Sequence, residues 1–139
     1  MARTRGFTLI EMMAVVLILG LVMSVVVVNV MERVEWAKLQ TTKIRMQSVE
    51  GALEMFQLEN AAYPDTDPGL VALLEHEPGK KSFVKDEESL EDSWKHRFEY
   101  EHPGSHRADM YDLWSNGRDG RPGGEGFEAD VTSWGREGS

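Results

Sequence analysis

The sequence predicts an α+β protein: one long N-terminal helix, membrane-spanning in its first half, packed on a small antiparallel β-sheet that ends in a glycine-rich loop. Three observations predict it. Residues 12–28 are apolar except for Gly20 and Ser24. No proline occurs between Phe7 and Tyr63, and beyond Met31 apolar residues recur at helical spacing. After Asn60, short segments of alternating polarity are separated by proline and glycine turn signals.

The apolar stretch from Phe7 to Met31 is long enough to span a bilayer as a helix. Arg3 and Arg5 precede it, which by the positive-inside rule puts the N-terminus in the cytoplasm and the bulk of the chain outside. One residue is out of place. Glu11 puts a carboxylate at the mouth of the span, where an ionised side chain costs about 2.5–3.5 kcal/mol on insertion scales, so it is expected to be functional and to have a cationic partner. Cleavage after Gly6 would create that cation, leaving the amine of Phe7 four residues from Glu11. An ordinary secretory signal would end in a small-x-small cleavage site downstream of the apolar run, and none follows it. A plain membrane anchor would leave Glu11 unexplained.

The string Gly6-Phe7-Thr8-Leu9-Ile10-Glu11 resembles the processing site of class III signal peptides, those of type IV pilins and pseudopilins. The resemblance implies that a membrane-embedded prepilin peptidase cuts between Gly6 and Phe7 and methylates the new N-terminal Phe7, while the apolar helix is kept as a filament core. It divides the chain into a basic leader (1–6), a transmembrane and assembly half of the long helix (7–31) and a head (32–139). Pseudopilins usually carry a proline near the end of the apolar segment; this chain has Val28 there.

In the second half of the helix, Leu39, Met46, Val49, Leu53 and Phe56 form one stripe, with Thr42 filling the missing turn. Most charged residues lie off it, and packing on the head is a better reading than a coiled coil because the run is short. Residues 60–69 hold turn and breaker residues, residues 70–74 read as a short helix stopped by Pro78-Gly79, and the charged residues 80–92 read as a solvated loop. Alternation from Trp94 to Tyr100 predicts a first strand, and residues 109–115 predict a second, antiparallel to it.

Asn60, Ala62-Tyr63-Pro64, Thr66, Gly69-Leu70 and Ala72-Leu73 resemble the segment after the helix in the G-type pseudopilins of type II secretion. Asp92 and Trp94 match that family's Asp-Pro-Trp-Gly, whereas Ser93 and Lys95 do not. Tyr111-Asp112-Leu113-Trp114-Ser115-Asn116-Gly117-Arg118-Asp119-Gly120 resembles the family's C-terminal signature. That likeness implies a pilin-like fold with a C-terminal metal-binding loop holding Ca2+, through Asp119 and the backbone carbonyl of Asn116. A second family aspartate falls on Gly126, so Glu125 or Glu128 is expected to supply a carboxylate, and Asp130 to bind or orient the loop. Oxygen ligands on flexible, glycine-rich backbone suit calcium; the alternative is a calcium-free loop held by Asx-type turns.

The family reading implies a structural protein of the bacterial inner membrane, single-pass with a periplasmic head. It would polymerise as a helical homo-oligomer with other pseudopilins on an inner-membrane secretion platform, forming a periplasmic pseudopilus that drives folded proteins across the outer membrane. A type IV pilin serving adhesion, motility or DNA uptake is the rival, disfavoured by the absence of cysteine and by the Asp119-Gly120 loop. A net charge of −9 argues against nucleic acid as a partner. His76, His96, His102 and His106 give no helical pair and no cysteine joins them, so zinc is not expected. No nucleophile elbow, phosphate loop or acid–base constellation supports an enzyme.

Overall fold

The computed structural model describes residues 6–74 and 82–135, and the chain forms two compact units, Met1–Glu35 and Trp36–Ser139. The elements run α1 (Leu9–Asn60), a 3₁₀ turn at Gly69–Leu73, another at Glu87–Leu90, β1 (Glu99–Glu101), β2 (Asp112–Ser115), a 3₁₀ turn at Gly126–Glu128 and β3 (Val131–Thr132). The leader residues 1–5, with Arg3 and Arg5, lie outside the described residues, as do His76, Pro78 and Gly79.

In the N-terminal unit the described residues from Leu9 onward are helical. Its described side chains are exposed almost throughout, including Leu9, Leu17 and Leu21, and α1 is long and apolar enough to cross a bilayer. Ser24 satisfies its own hydroxyl by donating to the Leu21 carbonyl at 2.7 Å. α1 runs through position 28 without a break; the valine there leaves the helical hydrogen bond that a proline would remove.

The second unit is built on the predicted stripe. Thr42, Met46, Val49 and Leu53 are fully buried, Ala52 nearly so, and Leu39 and Phe56 pack on the core's edge. Their partners are Leu70, Leu73, Val84, Leu90, Phe98, Tyr111, Leu113 and Val131. Thr42 belongs in this apolar row because its hydroxyl accepts the amide of Ser93 at 3.1 Å, which removes the cost of burying it. The helix ends at Ala61, which takes the left-handed conformation at φ 62°, while the Asn60 side chain donates to the Phe56 carbonyl at 2.9 Å. Tyr63, Tyr100 and Tyr111 then form an aromatic cluster, and the Tyr100 hydroxyl donates to the Pro64 carbonyl at 2.7 Å. Burial pushes the Tyr100 and Tyr111 hydroxyls well above the ordinary tyrosine range.

The sheet has the order β1-β2-β3, antiparallel throughout, with Tyr100 opposite Leu113 and Ser115 opposite Val131. Two expectations need correction. The first strand begins at Glu99, not Trp94, because the buried Asp92 carboxylate draws the amides of Trp94 (2.8 Å) and His96 (2.9 Å) onto one oxygen and closes a tight turn. Lys95, where the resembled pattern has glycine, sits in that turn at φ 71°. The second strand begins at Asp112, not Asp109, since residues 104–110 fold into a loop closed by Gly104 N to Met110 O and Met110 N to Arg107 O. β3 was not anticipated: its two residues lie in glycine-rich sequence, too short to show alternation.

Candidate functional site

Two regions carry the residues of interest. In the first, Gly6, Phe7 and Thr8 precede α1 as exposed, non-helical chain, so the Gly6–Phe7 bond is not locked in helical hydrogen bonds. Thr8 caps the helix. Its hydroxyl accepts the Glu11 amide at 3.3 Å, while its amide (2.7 Å) and hydroxyl (3.0 Å) both donate to the Glu11 carboxylate. This is a capping box, two orphan groups of a helix start satisfied reciprocally. The carboxylate in the span therefore already has an internal partner. Sequence reasoning passed over Thr8, although Thr-x-x-Glu before an apolar run is the signal for it.

The second region is the loop after β2. Its root is fixed by Ser115, whose hydroxyl donates to the buried Asp92 carboxylate at 2.6 Å and accepts the Gly117 amide at 3.2 Å. His96 reaches the Gly117 carbonyl at 3.1 Å. Gly117 is required: at φ 65°, a Cβ there would lie 2.8 Å from the carbonyl oxygens of Glu128 and Ala129. The two arms of the loop thus touch backbone to backbone.

The expected metal residues are distributed along these arms. Asp119 accepts the Arg121 amide at 3.1 Å, an Asx turn. Asp130 accepts the Gly123 amide on both oxygens at 3.0 Å. The Asn116 side chain accepts the Trp114 indole N–H at 3.1 Å. Glu128 is held by Arg118 at 2.5 Å, and Glu125 is exposed at the start of the last 3₁₀ turn. Among the described residues no three acidic or histidine side chains converge as a metal cluster. An ion here would therefore draw on Asp119, Asp130 and backbone carbonyls, a set of hard oxygens that suits calcium. Glu128 fits poorly as a ligand, being engaged by a guanidinium. Asp112, buried, accepts the His106 amide at 2.7 Å and lies 2.9 Å from the His106 ring, and so orders the loop before β2.

Residues 1–27 match the prokaryotic N-terminal methylation motif, and residues 29–134 match type II secretion system (T2SS), protein G. The type II secretion system core protein G of Pseudomonas aeruginosa is 39% identical over 135 residues, covering 93% of this chain and 94% of that protein. The corresponding protein of Vibrio cholerae is 36% identical, covering 96% and 94%. The crystal structure of the major pseudopilin from the type 2 secretion system of enterohaemorrhagic Escherichia coli superposes with a TM-score of 0.59 at 26% identity, covering 76% of this chain and 94% of that one. A methylation-type N-terminus, a long helix that enters a small antiparallel sheet and a glycine-rich final loop define a pilin-like subunit. The chain belongs to the type II secretion system protein G family.

Proposed function

We propose that this chain is the major structural subunit of a type II secretion pseudopilus, with Glu11 as its assembly residue. The observation that supports this most is the placement of Glu11, a carboxylate in the first turn of a helix whose described apolar side chains from Leu9 to Val34 are exposed. Such a surface calls for lipid or for other copies of the same helix. Cleavage between Gly6 and Phe7 by a prepilin peptidase would free the amine that becomes methylated on Phe7. A subunit joining the filament would bring that amine to Glu11 of its neighbour, and the opposite charges would pair away from water. Thr8 shelters the carboxylate before that exchange.

The membrane-spanning half would anchor the subunit in the inner membrane with its N-terminus cytoplasmic and its head periplasmic, other pseudopilins and the secretion platform being its partners. The role is mechanical, with no catalytic step of its own. A calcium ion in the final loop, held by Asp119, Asp130 and the Asn116 carbonyl, would brace the end of the head; its chemistry there is charge neutralisation of acidic side chains.

Glu11→Ala separates the steps. The variant should insert, be cleaved after Gly6 and be methylated, as read by mass spectrometry of its N-terminus, yet form few filaments and secrete poorly. Filaments in wild-type amount from Glu11→Ala would reject the pairing role.

A further inference from the structure

Loop 116–130 is joined across its arms at one place by both backbone and side chain. Arg118 donates its amide to the Phe127 carbonyl at 2.9 Å and its guanidinium to Glu128 at 2.5 Å. Phe127, between them, meets the Trp36 ring edge-on at 5.5 Å, which ties the far arm to α1. Close approach is permitted nearby by Gly124, where a Cβ would lie 2.4 Å from the Glu128 carbonyl oxygen. A fixed positive charge therefore sits next to Asp119 in sequence and against one of the loop's own carboxylates.

We propose that Arg118 and Glu128 form a clasp that holds loop 116–130 closed when divalent cation is withdrawn, so that this head depends less on calcium than its acidic residues imply. The proposal rests on the calcium reading above. Arg118 and Glu128 side chains are 46% and 44% exposed, so the clasp shifts the closing equilibrium by a few-fold, as partly solvated pairs do. Its weight comes from position: it acts where the backbone already bridges the arms, so little further ordering is needed.

Hydrogen exchange of the full chain in detergent micelles, read by mass spectrometry on a peptide covering 117–130, tests this with CaCl2 or with EGTA. Wild type should keep its protection in EGTA. Arg118→Gln and Glu128→Gln should each exchange about five-fold faster there, as expected for a pair worth about 1 kcal/mol. The swap of Arg118→Glu with Glu128→Arg should recover most of the loss. A peptide covering β1 and β2 reports whether the head remains folded.

Recovery of the single variants by Ca2+ supports both the clasp and the ion. Faster exchange that Ca2+ does not reverse supports the clasp and removes calcium from the loop. Equal protection of wild type and variants in EGTA, whether high or low, overturns the clasp.

Discussion

Two hydroxyls on the same helix show how differently its two halves are built. Ser24 finds its partner three residues away, on the Leu21 carbonyl; Thr42 finds its partner fifty-one residues away, on the Ser93 amide. The first contact would survive in any medium, because the helix supplies it. The second exists only if the head has folded. The apolar side chains divide the same way: Leu17 is 77% exposed and Leu53 is fully buried. One half of α1 is completed by the protein's own core, while in the other Glu11 and Ser24 are satisfied locally and the described apolar side chains stay exposed.

Paired substitutions would break or sharpen this contrast. The largest effect is expected at Asp92, which is fully buried and holds two amides and the Ser115 hydroxyl. Asp92→Ala should destabilise the head by about 3–5 kcal/mol, since it orphans several buried donors; urea unfolding of the detergent-solubilised chain, followed by tryptophan fluorescence, reads this directly. Leu53→Ala should cost about 2–5 kcal/mol by opening a cavity, whereas Leu17→Ala should leave the same transition within about 0.5 kcal/mol of wild type. Similar losses from both would show that the halves are not distinct.

Thr42→Val removes an acceptor and should cost about 1–2 kcal/mol, against almost nothing for Ser24→Ala. One substitution should bring a small gain. Lys95→Gly relieves a left-handed lysine and should stabilise the head by about 0.5–1 kcal/mol, even after losing the exposed contact of Lys95 with Glu88 at 2.6 Å. A lower midpoint for Lys95→Gly would mean that the ion pair outweighs the backbone strain.

What the sequence made legible follows from the range of the forces involved. The stripe Thr42, Met46, Val49 and Leu53 was readable because burial repeats with the helix period. Glu11 was readable because a carboxylate stands out in apolar sequence. The early end of the alternation at Trp94 was not, since the turn that displaces the strand depends on Asp92, whose other oxygen is fixed by Ser115, twenty-three residues on. β3 and the Arg118–Glu128 pair were hidden for a related reason: each depends on loop arms meeting, and a glycine-rich segment gives no periodic signal of where it will fold back. Thr8 is different. Its capping pattern, Thr-x-x-Glu before an apolar run, is local and stands in the sequence.

Ser115 gives the last loop a reach beyond its own length. One hydroxyl accepts a hydrogen bond from the Gly117 amide and donates one to the carboxylate at the centre of the turn before β1. Ser93, which follows Asp92 directly, in turn donates its amide to the buried Thr42 of α1. Three hydrogen bonds thus moor the start of the last loop to the turn before β1 and to the spine of the head.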